Sequence, residues 1–181
     1  MPPEGDPLMR KLLFALTAAS LIASPAAAAL KVGEKAPDFT TTGAVGGKEF
    51  KLHLADQLKK GPVVLYFFPK AFTSGCTAEA HKFSETIGDF KKAGAQVIGM
   101  SADDLKTLHD FSTKECRSAF PVATATPETQ KAYDVAWAEH PGFTTRTSYV
   151  IDRSGKIVMV HDDPDFSQHV SKTLAAVRAL K

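Results

Sequence analysis

The sequence predicts an α/β protein in which a mixed central β-sheet has helices on both faces. Three observations support this class. Apolar runs typical of buried strands alternate along the chain with segments whose apolar residues recur every three or four positions, as in amphipathic helices. A short hairpin pattern precedes these units, and a second hairpin followed by a helix closes the chain. Strand–helix alternation that ends in a hairpin favours a layered fold with a mixed sheet.

The elements before residue 101 are a hairpin, a strand, a long helix and a second strand. Two β-prone runs around Gly43 to Gly47 predict the hairpin. Residues 62–68, PVVLYFF, form a near-continuous apolar run, as expected for a strand covered on both faces. Residues 76–92 follow as a helix and residues 96–100, QVIGM, as the next strand. The helix is predicted from the spacing of Ala80, Phe83, Ile87 and Phe90.

A second helix and a third strand come next. Ser101 and Asp104 form a Ser-x-x-Asp start for a helix over about residues 103–116. Its inner side is marked by Leu105, Leu108 and Phe111. Residues 120–124, FPVAT, have the apolar composition of a further strand.

The last third of the chain predicts a short helix, a hairpin and a terminal helix. Thr126 and Pro127 fit the N-cap and first position of the short helix. Residues 146–152, RTSYVID, and residues 156–161, KIVMVH, flank a turn with Gly155 and form the hairpin. The terminal helix is predicted from the spacing of Phe166, Val170, Leu174 and Val177.

The first 28 residues have the order of a secretory signal peptide. Arg10 and Lys11 precede a mostly apolar run, Leu12 to Ala23, and small residues follow it. Roughly 12 residues at ~1.5 Å each are too short for a ~30 Å hydrocarbon core, so a permanent anchor is not expected. The alternative interpretation is a buried N-terminal helix.

We therefore expect cleavage near Ala28 or Ala29, export of the protein to a compartment such as the periplasm, and one mature domain over residues 29–181. Export places both cysteines where disulfides can persist.

Composition excludes several function classes. The chain has 181 residues, 44% hydrophobic and 23% charged, with a formal net charge of +2. This charge is too small to predict a nucleic-acid or anionic-membrane partner. The six histidines are scattered and the two cysteines lie far apart. Neither set has the spacing of metal ligands, and we expect no metal or cofactor.

The stretch from Pro69 to Cys76 carries the candidate chemistry. Cys76 is placed at the start of a helix, where the unpaired N–H groups and the helix dipole favour the nucleophilic thiolate. The Thr73 hydroxyl, three residues earlier, could hydrogen-bond the sulfur or a polar substrate, and Pro69 stiffens the loop. Thr73 stands where a dithiol oxidoreductase has its first cysteine, so dithiol exchange within this loop is excluded. Two alternatives are a buried core cysteine and half of a structural disulfide.

The run Pro69-x-x-x-Thr73-x-x-Cys76 resembles the active-site motif of the peroxiredoxins. The surrounding YFFPKAFTSGCTAEAHKF is similar to the bacterioferritin-comigratory, or PrxQ-type, subfamily. The similarity continues through VGEKAPDF, GAQVIGMSAD, FPV, KAYDV and RTSYVIDRSGKI. It implies a thioredoxin fold, reduction of hydrogen peroxide and organic hydroperoxides, and a thioredoxin-like or other thiol reductant as partner. We expect a monomer or weak homodimer.

The resemblance also implies roles for individual residues. Cys76 would be the peroxidatic cysteine, with Pro69 and Thr73 as its loop partners. Arg146 matches the family's active-site arginine, whose planar fork can stabilise a thiolate and hold peroxide oxygens. Glu79 matches the PrxQ glutamate and is interpreted as an orienting partner, not a proton donor. The alternatives are a surface ion-pair residue for Arg146, a turn residue for Thr73 and a favourable charge at a helix N-terminus for Glu79.

The chain departs from the family pattern at position 81. Many PrxQ-type proteins have a second cysteine there, five residues after the first, and this chain has His81. Cys116 is therefore the candidate resolving cysteine, and the disulfide would require local unwinding. The alternative is that Cys116 is a buried bystander. The enzyme would then be a one-cysteine peroxidase, and a third hypothesis is a non-enzymatic module with a structural Cys76–Cys116 disulfide.

Overall fold

The computed structural model describes residues 29–180. The predicted signal peptide, residues 1–28, lies outside the described residues. The strands are β1 Thr40–Val45, β2 Lys48–His53, β3 Val63–Phe67, β4 Gln96–Ser101, β5 Val122–Thr124, β6 Thr147–Ile151 and β7 Ile157–Asp162. The helices are α1 Leu54–Lys60, α2 Ser74–Lys92, α3 Leu105–Lys114, α4 Pro127–Ala132 and α5 His169–Arg178.

All seven strands form one mixed sheet in the order β2-β1-β5-β4-β3-β6-β7. The three central strands β3, β4 and β5 are parallel, because a helix connects each to the next. Two antiparallel hairpins complete the edges, β1–β2 on one side and β6–β7 on the other. The mixed α/β sheet that the sequence predicts is confirmed.

Helices cover both faces of this sheet. Successive side chains of β3 point to opposite faces, so Val64 and Tyr66 join one apolar cluster while Val63 and Leu65 join the other. The first cluster includes apolar side chains of α2, α3 and α5, and the second includes those of α1. Both clusters are buried. The apolar face of α2 packs into the first cluster, and this packing holds the helix that carries Cys76 against the sheet.

Three details differ from the sequence prediction. Helix α1 was not predicted. Asp104, not Ser101, caps α3, because the Asp104 carboxylate accepts the Thr107 backbone N–H at 2.7 Å while Ser101 is the last residue of β4. Phe166 belongs to a short 3₁₀ turn before α5. Within residues 29–180, no helix is both long and apolar enough to cross a membrane.

Candidate active site

The loop after β3 delivers Cys76 to the first turn of α2. Phe68 to Thr73 connect the strand to the helix, and Cys76 follows as the third helical residue. Its side chain is buried, with 1% of its surface exposed, and its sulfur is a free thiol. Because the first four N–H groups of a helix have no partner within the helix, this position favours a negative charge on the sulfur.

Arg146 lies against Cys76. It precedes β6, the antiparallel neighbour of β3, so the two ends of these strands bring the two side chains together. One terminal nitrogen, Nη2, donates to the Cys76 Sγ at 3.4 Å, and Nε donates to the Pro164 carbonyl at 3.0 Å. The other terminal nitrogen, Nη1, donates to the Glu79 carboxylate. All three nitrogens of the guanidinium therefore have partners, and its plane is fixed beside the sulfur.

Glu79 stands one turn after Cys76 on α2 and is fully buried. Burial raises the pKa of this carboxyl to about 7, although the Arg146 charge and hydrogen bond act in the opposite direction. The pKa of Arg146 is raised: burial lowers it, but the charges of Glu79 and Cys76 outweigh that effect. The predicted contact between Glu79 and Arg146 is present, and Arg146 is not a surface ion-pair residue because only 8% of it is exposed.

The two loop residues of the motif lie at the mouth of the site. The exposed Thr73 hydroxyl donates to the Lys70 carbonyl at 3.0 Å. Of its two expected partners, the sulfur is therefore not the acceptor, and the hydrogen bond to a polar substrate stays a prediction. Pro69 and Arg146 line a cavity of about 370 Å³ beside Cys76. The remaining lining residues are Trp137, Thr145, Asp162 and Pro164. The cavity gives a small molecule access to the edge of the Arg146 side chain.

Sequence reasoning missed two residues that hold the loop. The buried Asp103 carboxylate accepts the Ala71 N–H at 2.7 Å and pairs with the Lys70 ammonium at 2.7 Å. The buried Thr144 hydroxyl donates to the Phe68 carbonyl at 2.8 Å. The only signal for Asp103 in the sequence is a carboxylate just after a predicted strand, and this residue is predicted to lie at the start of the next helix.

Cys116 lies just after the end of α3 and is fully buried. Burial raises the pKa of its thiol well above the ordinary value, and the neighbouring Glu115 charge adds to this effect. Cys116 and Cys76 belong to the same apolar cluster, and both are free thiols. His81, five residues after Cys76, pairs with the Glu115 carboxylate at 2.9 Å and so links α2 to the end of α3.

The arrangement supports nucleophilic chemistry at Cys76. A fixed guanidinium stabilises a neighbouring thiolate. If the thiolate attacks a bond to oxygen, the same guanidinium can also stabilise the negative charge on the oxygen that leaves. A further buried residue, His169, lies on the other side of Glu79, with its Nδ1 3.8 Å from Glu79 Oε1. Within residues 29–180, no cluster of three or more His, Cys, Asp or Glu side chains has the arrangement of a metal site.

Comparison with known proteins identifies similar chains in sequence and structure. The profile of the AhpC/TSA family matches residues 32–160. The chloroplast peroxiredoxin Q of Suaeda salsa is 32% identical over 149 residues, which cover 82% of this chain and 68% of that protein. Peroxidoxin BcpB of Mycobacterium tuberculosis has a TM-score of 0.76 at 28% identity, over 84% of this chain and 99% of that chain. Peroxiredoxin Q of Xanthomonas campestris has a TM-score of 0.66 at 27% identity, over 76% and 89% of the two chains.

Proposed function

The chain belongs to the AhpC/TSA family, and we propose that within it Cys76 is the sulfur that attacks the peroxide. The protein is a peroxiredoxin, a thiol-dependent peroxidase with a hydroperoxide as substrate and a thiol as reductant. The PrxQ-type resemblance and the thioredoxin fold predicted from it are both confirmed. The observation that carries the assignment of Cys76 is its contact with the Arg146 guanidinium at 3.4 Å in a buried helix start.

In the first step, the Cys76 thiolate attacks one oxygen of the peroxide. The S–O bond forms and the O–O bond breaks, so the sulfur is oxidised to sulfenic acid and the peroxide is reduced to an alkoxide, or to hydroxide for hydrogen peroxide. This oxygen takes up one proton and leaves as alcohol or water. Negative charge moves from the sulfur to the leaving oxygen during this step. Arg146, whose plane is fixed by Glu79 and the Pro164 carbonyl, remains beside that charge throughout.

Cys116 is our candidate for the second step. Its thiol would attack the Cys76 sulfenic acid, forming the disulfide and releasing water. The two Cα atoms must come within roughly 4.4–6.8 Å for this bond. Cys76 is in the first turn of α2 and Cys116 follows the end of α3, and we propose that both segments unwind locally to bring the two sulfurs together. A thioredoxin-like reductant then restores both thiols.

We also propose that the protein acts outside the cytoplasm as a monomer or weak homodimer. Export is supported by the basic, apolar and small-residue order of residues 1–28. The small apolar exposure of the surface supports the assembly state: of the large hydrophobic side chains in residues 29–180, those exposed are Val32, Phe72 and Leu180. The reductant would accordingly be an extracytoplasmic thiol protein.

Intact-mass analysis of the reduced mature protein after one equivalent of peroxide tests the cycle. Loss of two hydrogens indicates an internal disulfide, and gain of one oxygen indicates a lone sulfenic acid. We expect loss of two hydrogens in the wild type and gain of one oxygen in Cys116→Ser. Cys76→Ser should consume no peroxide, because a hydroxyl is a far weaker nucleophile. Peroxide consumption by folded Cys76→Ser would overturn the assignment of Cys76.

A further inference from the structure

His169 is a buried histidine with a defined protonation pattern. It begins α5 and is fully buried. Its Nε2 lies 2.9 Å from the Asp163 carbonyl, and its Nδ1 lies 2.7 Å from the Ser148 hydroxyl. A carbonyl only accepts hydrogen bonds, so Nε2 carries the ring proton. Nδ1 is therefore the acceptor for the Ser148 O–H, and its lone pair is already directed at a donor.

The same Nδ1 faces Glu79. Its distance to Oε1 is 3.8 Å, which is too long for a hydrogen bond. Oε1 is buried and has no hydrogen-bond partner among residues 29–180, whereas Oε2 is bound by Arg146. An ionised carboxylate with one unpartnered buried oxygen, opposite a nitrogen lone pair, is unfavourable. A proton on Glu79 relieves this arrangement.

The charges around His169 keep the proton on Glu79 rather than on the ring. The pKa of His169 is lowered to about 4, chiefly by burial and also by the charges of His161 and Arg146, while the Asp163 carbonyl and carboxylate act in the opposite direction. Burial raises the pKa of Glu79 to about 7. Titratable and charged groups face His169 from several elements: Glu79 on α2, Arg146 before β6, and Asp163 and Asp165 in the loop after β7. The ring of His161, on β7, lies 4.5 Å from that of His169, and Lys172 lies beside His161.

The protonation of Glu79 balances the charge of the site in both of its states. With Cys76 as thiolate, the charges of the sulfur and Arg146 cancel, so a neutral Glu79 leaves the buried cluster neutral. When Cys76 becomes a neutral sulfenic acid, an ionised Glu79 is the partner that cancels the charge of Arg146. A buried cluster is most stable when it stays neutral, because uncompensated charge is costly in a low-dielectric interior.

We propose that His169, fixed by Ser148 and the Asp163 carbonyl, is a positioning residue that keeps Glu79 protonated while Cys76 is a thiolate. Glu79 gives up this proton when the Cys76 sulfur is oxidised. The inference rests on the proposed function. The reaction then balances as thiolate, hydroperoxide and protonated Glu79 giving sulfenic acid, alcohol and Glu79 carboxylate. Glu79 thereby orients Arg146, as the family resemblance implies, but it also gives up a proton, which departs from the expectation that it is not a proton donor.

The pH dependence of Cys76 oxidation tests this role. The second-order rate constant of the reduced protein with hydrogen peroxide would be followed by the fluorescence of Trp137, which lines the cavity beside Arg146. It would be divided by the thiolate fraction from ultraviolet absorbance. As the pH rises through about 7, Glu79 loses its proton and competes with the thiolate for Arg146. The rate constant per thiolate should therefore fall across this range.

His169→Asn is the informative variant. Its amide nitrogen, placed where Nδ1 lies, can donate to both the Ser148 hydroxyl and Glu79 Oε1, so the carboxylate is held ionised. We expect the step to move to lower pH by about one unit or more, and the rate constant near pH 6 to fall by about tenfold or more. The matched control is His53→Asn, since His53 lies on β2 at the opposite edge of the sheet and pairs with Asp38 and Asp56. This control should keep the wild-type step.

Two further measurements keep the test decisive if His169→Asn does not fold. Ser148→Ala frees Nδ1 to accept the Glu79 proton, and the step should move to higher pH. The second measurement is the infrared difference spectrum of Cys116→Ser on addition of peroxide, which should show the loss of one protonated carboxyl band. The Glu79→Gln, Cys116→Ser double variant should lack that band. A wild type without the pH step, or without that band, overturns the inference. Peroxide reduction by Cys76→Ser would instead overturn the proposed function.

Discussion

Replacing Arg146 with methionine removes the charge that faces Cys76 while keeping a long side chain. The Nη2–Sγ distance is 3.4 Å. A pair of unit charges about 4 Å apart interacts by about 4 kcal/mol at an effective dielectric constant near 20, before desolvation is subtracted. Loss of one preorganised charge-stabilising group in other enzymes slows the reaction by about 10² to 10³-fold. We expect Arg146→Met to lower the rate constant of Cys76 oxidation by about 10²-fold or more and to reduce the thiolate fraction at neutral pH.

The variant should remain folded, because a protonated Glu79 is neutral and needs no charged partner. Arg146 lowers the pKa of Glu79 and burial raises it, so removal of Arg146 leaves only the effect of burial. The rate would be measured by stopped-flow fluorescence of Trp137, and the thiolate by its ultraviolet absorbance. Arg153→Met is the matched control, since Arg153 is an exposed arginine whose guanidinium contacts only the Lys59 carbonyl, at 3.0 Å. A rate constant and thiolate fraction equal to those of this control would refute the role of Arg146.

Three further substitutions test the rest of the cycle. Cys116→Ser should reduce its first equivalent of peroxide at the wild-type rate, but its turnover with a thioredoxin-like reductant should collapse. Excess peroxide should then oxidise Cys76 to sulfinic acid. Unchanged turnover would make Cys116 a bystander. Thr73→Val should slow Cys76 oxidation by roughly tenfold or less, the scale of one hydrogen bond, because the bond to the Lys70 carbonyl is lost. A wild-type rate in stopped-flow would leave Thr73 a simple turn residue. Phe72→Ala should speed disulfide formation after a peroxide pulse by about fivefold, because it removes an edge-to-face contact with the Phe111 ring at 5.2 Å; a slower second fluorescence phase would contradict this.

Much of the fold could be predicted from the sequence because long periodic segments determine it. Helix α2 has five buried residues at helical spacing, and β3 is buried throughout, so each pattern extends over enough residues to be specific. Helix α1 has only two buried residues, Leu54 and Leu58, and the side chain of its N-cap residue, His53, makes no capping hydrogen bond. A seven-residue helix therefore carries too little pattern to be recognised. Its position depends on packing against the sheet.

The candidate site divides in the same way. The spacing of Pro69, Thr73 and Cys76 is local, so it could be read directly from the sequence. For Glu79, the partner Arg146 came only from the family resemblance and His169 was not predicted, because both reach Glu79 only after β6 and α5 have packed beside α2. His169 starts an amphipathic helix, and nothing in its sequence neighbourhood indicates that its ring faces a carboxylate. Long-range contacts of this kind are determined by the tertiary structure alone.

In the reduced protein the site is held by several contacts, but the proposed cycle requires it to open. The loss of charge at Cys76 on oxidation explains when it opens. Before oxidation, the Arg146 guanidinium holds the thiolate in the first turn of α2 by a charge-assisted contact. The sulfenic acid is neutral, so that attraction is lost when the sulfur is oxidised. The remaining links between α2 and the end of α3 include the half-exposed His81–Glu115 pair, and such surface pairs contribute about 1 kcal/mol or less. Cys116, whose thiol pKa is raised by burial, becomes reactive only once it is exposed. Oxidation of Cys76 thus precedes opening of its own turn, because it removes the charge-assisted contact of the sulfur, while the Glu79–Arg146 pair still holds the next turn of α2.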